Sequence, residues 1–398
     1  MDIVTELRRR QRAVEELLKR RGLDAALFVG NSAVGPQAYG CFRYLTDHRV
    51  YYHLQALVLR PDMAPAICCG SVLHLDGVHN KGFEDVRLGP DILGSVCGIL
   101  SERPILRLGW TPDTVPALWY DRLRAEFPQM ELVDVTDDVF ELRSVHSEYE
   151  VECIRKCARI ADAGYKAVCD MAKPGVRMSD LHAELDYAMK AAGAEETFTL
   201  MSNGRFSYDN NGLPCIRAFS WPDDRVIAPG DNIGMEITPR YKGYWTQMVR
   251  TVCISEGNPE LERAHALQLE LIDSTVKMLR PGVALGDVLK HMWHETEKVG
   301  LIPRLPFGHI VGLDLDEGGR GSLESTLVLK KNANVVLHPT MVKGDMNYSI
   351  FWGDPYLVTE QGGVRINESS TELLTLRREG TACSASRKGP AVSRLFRS

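Results

Sequence analysis

Apolar residues recur at helical spacing through residues 3–22 (Val4, Leu7, Val14, Leu17, Leu18) among many charges, and Gly22 reads as a stop. Strand-like apolar runs follow at 25–29, 56–59, 64–68, 105–108 and 132–135, with helical stretches between them. That alternation predicts a small α/β domain over residues 1–140. A different pattern begins at 141–155. There Ser147 stands three residues before Glu150, as a capping box requires, so a helix is predicted to about Ala172, stopped by Lys173, Pro174 and Gly175. Further helices are predicted from Ser179 and Asp180 to near Gly193, from about Glu260 to Leu279, and from Leu285 to Val299. The helix ending at Leu279 stops at Arg280, Pro281 and Gly282, so the motif of helix, basic residue, Pro-Gly and helix occurs twice. Residues 230–236 (Gly-Asp-Asn-Ile-Gly-Met-Glu) and 242–251 read as a β-hairpin. After Glu379 no acidic residue remains, while Arg387, Lys388, Arg394 and Arg397 do, and 380–398 is predicted to be a disordered tail.

Composition narrows the function. At 398 residues and 44% hydrophobic content the chain can bury two cores. A net charge of −6 gives no electrostatic reason to expect nucleic acid or an anionic membrane surface. No apolar run reaches the roughly 18 residues a membrane span needs, and the first residues lack a secretory apolar core. Ten scattered cysteines form no Cys-x-x-Cys pair, so reduced, mostly buried thiols are expected. The expectation is a cytoplasmic protein.

Three motifs point to a family. The hairpin at 230–251, the segment Pro306-Phe-Gly-His-Ile-Val-Gly-Leu313 and the strand and turn at 354–362 resemble the methionine aminopeptidase, aminopeptidase P and creatinase family. The resemblance covers about 140–376, and 1–140 more loosely. It implies an N-terminal creatinase-like α/β domain at 1–140. Residues 141–379 would form an α+β pita-bread domain in which two αα-plus-hairpin halves cover a curved antiparallel sheet. Metal-dependent members hold two divalent cations with two aspartates, a histidine and two glutamates. The matching positions here hold Glu236, Gln247, His309, His338 and either the Trp352–Gly353 pair or, in a second register, Asn367. Hard cations held in a pair need bridging carboxylates, and an amide cannot replace one. The chain thus resembles a divergent creatinase-like member whose dinuclear ligands have been replaced.

The residues that remain suggest metal-independent chemistry with no cofactor. Two imidazoles and a carboxylate make an acid/base set: His309 and His338 for proton transfer, Glu236 as orienting carboxylate or base, Gln247 as a substrate contact. The resemblance to creatinase further implies a homodimer in which the loop 44–53 reaches the partner's pocket with Tyr51 and His53. It also implies substrate contacts from Asn211, Arg320 and Trp352. The substrate expected is a small polar metabolite bearing a carboxylate, with a C–N bond that is hydrolysed or eliminated. Two readings stay open beside it. One is a mononuclear Fe(II) or Zn(II) site of Glu236, His309 and His338. The other is a non-catalytic pseudo-peptidase that binds without reacting. His291, His294, His74 and His79 are expected to be structural, although His74 and His79 could reach the loop 44–53.

Overall fold

The computed structural model describes residues 2–32, 40–51, 54–204, 207–208, 214–215, 223–257, 259–304, 306–317, 321–343 and 349–377. The expected tail lies outside them. The first helix, α1 (Ile3–Arg21), is capped by Asp2, whose carboxylate accepts the Thr5 amide at 3.0 Å, and ends on Gly22 at φ 61°. It buries Leu7, Val14, Leu17 and Leu18. Then come β1 (Ala25–Asn31), α2 (Gly40–Thr46), β2 (Leu54–Leu59), β3 (Ala66–Cys69), α3 (Leu75–His79), β4 (Asp85–Leu88) and α4 (Ile92–Ser101). The domain finishes with β5 (Arg107–Trp110), α5 (Ala117–Glu126), β6 (Glu131–Asp134) and α6 (Thr136–Arg143). Its six strands lie in the order β4-β3-β2-β1-β5-β6, with β2 antiparallel to both neighbours and every other pair parallel. The strand expected at 105–108 begins two residues later. The Asp24 carboxylate takes the amides of Leu106 and Arg107 at 2.8 and 2.9 Å, which holds that entry off the ladder. α6 carries the domain to Arg143.

Ser147 then caps α7 (Glu148–Met171) through the expected capping box with Glu150. α8 (Met178–Ala191), β7 (Glu196–Gly204), β8 (Ser207–Tyr208) and β9 (Pro214–Cys215) follow. The hairpin is β10 (Asn232–Tyr241) returning as β11 (Tyr244–Trp245) and β12 (Met248–Ile254), one strand interrupted at Thr246 and Gln247. Lys242 and Gly243, at φ 48° and 87°, supply the tight turn that strand twist favours. The second half repeats the plan with α9 (Pro259–Val276), α10 (Leu285–Lys298), β13 (Leu301–Arg304), β14 (Gly308–Ile310), β15 (Asn334–Leu337) and β16 (Thr340–Lys343). β17 (Ser349–Phe351), β18 (Asp354–Thr359), β19 (Gly362–Arg365) and β20 (Leu374–Leu376) close the chain.

Duplication shows in matched details. Gly175 and Gly282 both sit at φ 90°, and their amides bond Ile227 and Leu329 carbonyls at 2.9 and 3.0 Å. The sheet is antiparallel except where β20 joins β12 in parallel. A two-hydrogen-bond bridge between Val249 and Gly353 (2.9 and 3.1 Å) links the halves. Helices α7 and α8 cover one half of the convex face, burying Ile233, Met235, Ile237, Met248 and Val252. α9 and α10 cover the other half over Ile310, Val335, Leu337 and Trp352. The α1–α2 side of the N-terminal core runs on through Val151, Ile154, Tyr244 and Leu313, so the two domains share one apolar cluster.

Candidate active site

Residues directly opposite in an antiparallel pair point to the same face. The pairings Ile237↔Met248 and Arg240↔Trp245 set Gln247 opposite Thr238, and Glu236 faces Val249. Val249 bridges to Gly353. The β15–β18 register, Leu337↔Asp354, carried one residue further sets Gly353 against His338. One concave face therefore carries Glu236, Thr238, Gln247, Gly353 and His338 in a row. His309 pairs with Val336, two residues from His338, and joins the same face. The imidazoles of His309 and His338 meet edge to face, centroids 5.1 Å apart. Phe351 lies against His338 at 5.3 Å, and Trp245, Val311, Leu315 and Val336 form an apolar floor beside them.

Electrostatics divides the site into two pairs. Burial pushes the Glu236 carboxyl up to about 7, and a side-chain hydrogen bond from Gln247 opposes that shift. Gln247 Oε1 and Thr238 Oγ1, both buried, have no hydrogen-bond partner among the described residues. Burial lowers His309 to about 4 and His338 to about 3, with His309 adding to the effect on His338. His309 Nδ1 faces the Ile310 carbonyl at 3.4 Å, a long contact. Among the described residues neither nitrogen of His338 closes a hydrogen bond, although carbonyls at Pro306 and His338 pull its pKa back up. Buried polar atoms are nearly always paired, so the open donors and acceptors of Thr238, Gln247 and His338 on this face are groups that a polar ligand could satisfy.

Several expectations need correction. Trp352 is one residue out of phase with Gly353 and points to the convex side. There it is 1% exposed, 4.7 Å from the Arg250 guanidinium and 5.6 Å from the His265 ring. A one-residue offset reverses the face, so Trp352 is core and not a substrate contact. The expected loop 44–53 is shorter than supposed, because Tyr44, Leu45 and Thr46 end α2 and are buried. Tyr51 is exposed, and its ring contacts are His74, stacked at 5.8 Å, and Arg49. His74 also meets His48 at 3.2 Å, so it does reach this segment. His53, Asn211 and Arg320 lie outside the described residues. Strand alternation in the sequence already puts Thr238 on the face of Glu236, though it was given no role; Phe351 was missed, and alternation from Gly353 would have found it. The last ligand position is settled by register. Gly353 stands on the concave face beside His338, whereas Asn367 bonds Ala158 and Asp162 of α7, both at 3.0 Å.

Comparison with known proteins agrees with this architecture. A profile of metallopeptidase family M24 matches residues 152–368, and one of the creatinase/prolidase N-terminal domain matches 9–145. The chain belongs to family M24. It is 24% identical over 368 residues to an uncharacterized peptidase, YqhT, of Bacillus subtilis, covering 91% of this chain and 99% of that one. To a creatinase of a Bacillus species it is 25% identical over 385 residues, 93% of this chain and 90% of the other. The X-Pro aminopeptidase of Thermotoga maritima superposes with a TM-score of 0.80 at 19% identity, covering 92% and 99% of the two chains.

The family name implies a metal centre, and the donor set here does not fit one. Along the ligand positions of this M24 domain the concave face presents a single carboxylate, Glu236. An amide stands at 247, an imidazole at 338 and no side chain at 353. Bridging oxygens for two hard cations are missing. The single-ion reading also fails to find its donors together: among the described residues no group of three His, Cys, Asp or Glu side chains is placed to hold a metal. Three inter-strand steps of about 4.8 Å separate Glu236 from His338 along the sheet, about 14 Å of backbone. That gap suits a small molecule lying between the pairs.

Proposed function

We propose that this M24 protein is a metal-independent hydrolase or lyase. In this reading it acts on a C–N bond of a small polar, carboxylate-bearing metabolite held between Glu236 and the two imidazoles. What supports it is the placing of two imidazoles, centroids 5.1 Å apart, on one face with a buried carboxyl whose protonation at pH 7 is opposite to theirs. At pH 7 burial keeps His309 and His338 neutral, with lone pairs to accept a proton. The same burial keeps a large share of Glu236 protonated and able to donate one. The roles expected from sequence are thereby adjusted: an imidazole takes the proton from water or substrate carbon, and Glu236 hands its own to the departing nitrogen. Gln247 holds the Glu236 carboxyl in place and offers Oε1 to the substrate. As a homodimer, the protein would bring Tyr51 and His53 of the 44–53 segment over a partner's pocket, with Asn211 and Arg320 as further substrate contacts.

The test pairs three variants, Glu236→Gln, His309→Asn and His338→Asn, with a panel of N-substituted amino acids and guanidino acids. Exhaustive chelation followed by metal analysis runs alongside. Turnover surviving chelation and lost in each variant is the expected result. Turnover that needs stoichiometric iron or zinc would reject the metal-free reading. Binding of a panel member that is unchanged in all three variants, without turnover, would establish the non-catalytic binder instead.

A further inference from the structure

The loop that follows His309 is held from the other domain. Arg143, the last residue of α6, is buried, and its Nη2 donates to Asp314 Oδ2 at 2.7 Å and to Glu317 Oε1. Its Nη1 donates to Cys41 Sγ at 3.2 Å, and the Gly40 amide donates to the other oxygen of Asp314 at 2.8 Å. Glu317 Oε1 also takes the amides of Leu313 and Asp314, at 2.7 and 3.1 Å. The Glu317 amide bonds the Ile310 carbonyl at 2.9 Å, and the Gly312 carbonyl receives the Trp245 amide at 2.7 Å. Residues 310–317 are thus wound around one carboxylate and pinned by one guanidinium. A Cβ at Gly312 would stand 2.6 Å from Glu317 Oε1, so the winding tolerates no side chain there. This loop also supplies the backbone carbonyl that faces the His309 ring, that of Ile310, 3.4 Å from Nδ1.

We propose that Arg143 is a positioning residue for His309. By clamping Asp314 and Glu317 it fixes the Ile310 carbonyl against the ring, so that Nδ1 carries the proton and Nε2 presents its lone pair. A neighbouring hydrogen bond decides the tautomer of an imidazole, and the tautomer decides which nitrogen can act as base. The N-terminal domain is then part of the reaction machinery and not only an attached module. Removing the guanidinium would strand two buried carboxylates, which part and carry the loop with them.

The inference rests on the proposed role of His309 but is read without turnover. Full-length protein is labelled with 15N-histidine, and the ring of His309, identified by its loss in His309→Asn, is followed by long-range proton–nitrogen spectra. Wild type is expected in the Nδ1–H form. Arg143→Lys, which keeps the charge but not the fork, is expected to remain folded and shift the tautomer ratio by about tenfold. Should Arg143→Lys fail to fold, Glu317→Gln answers the same question, since it keeps the shape and weakens the clamp. An unchanged His309 spectrum in a folded variant overturns the proposal. If His309→Asn retains full turnover, the function proposed for the site fails, while the tautomer result still decides the role of Arg143.

Discussion

Replacing Glu236 with glutamine should stabilise the protein at alkaline pH while abolishing its chemistry. The folded carboxyl holds its proton to about 7, whereas an unfolded glutamate releases it near 4.5. Between those values the folded state binds more protons than the unfolded one, so the contribution of Glu236 to stability falls as pH rises and is fully lost above about 7. The displacement is equivalent to about 3 kcal/mol, an upper figure because the residue is not wholly enclosed. Glutamine has the same shape, carries no titratable proton and can still accept from Gln247. Denaturant unfolding of wild type and Glu236→Gln at pH 4.5 and pH 8.5 isolates the effect, since the buried histidines contribute equally to both proteins. The two should be close at pH 4.5, and the variant should be more stable by about 2–3 kcal/mol at pH 8.5. A wild type as stable as the variant at pH 8.5 would mean that the carboxylate is solvated or paired, and the acid role of Glu236 would fall with it.

Three further outcomes follow from the same geometry. The rate should rise through about pH 4 as His309 loses its proton and fall through about pH 7 as Glu236 loses its own, a bell visible in kcat/KM against pH; an alkaline limb unchanged in Glu236→Gln would remove Glu236 from the reaction. Gly353→Ala places a methyl 2.3 Å from the Leu337 carbonyl oxygen and 2.5 Å from His338 Cβ, so a loss of about 1–3 kcal/mol in unfolding measurements is expected together with a displaced His338 ring. Trp352→Phe should lower the melting temperature and leave KM within experimental error, and a tenfold rise in KM with intact stability would return Trp352 to the pocket.

Much of this was legible in the sequence because the signals were local. The capping box at Ser147 and Glu150, the Pro-Gly stops and the Lys242–Gly243 turn each fix their element by short-range sterics and hydrogen bonding. The face of a residue between two strands is not local. Trp352 and Gly353 could be assigned only once Val249 was known to bridge to Gly353 and His338 to stand opposite it. The protonation of Glu236 was equally out of reach, since it depends on how completely helices, strands and floor exclude water from one carboxyl. Arg143 lies 171 residues from Asp314 in the chain, and no pattern along the sequence couples them.

The two faces of the sheet should respond to mutation in opposite ways. On the convex side Arg250 and Asp354 are both fully enclosed and bond at 2.7 Å, with Arg365 on the second oxygen of Asp354 and Trp352 stacked on Arg250. On the concave side Thr238 Oγ1, Gln247 Oε1 and both His338 nitrogens lack hydrogen-bond partners among the described residues. Breaking an enclosed pair strands a charge, so Arg250→Met should cost about 3–5 kcal/mol. His338→Asn removes no hydrogen bond made by the described residues and exchanges one buried, unpaired polar group for another, so its cost should stay below about 1 kcal/mol. Urea midpoints for the two variants, combined with turnover, separate the roles: the first loses stability, the second loses chemistry. If His338→Asn proved as damaging to folding as Arg250→Met, the imidazoles would be part of the scaffold, and the case for a reactive cavity on the concave face would collapse.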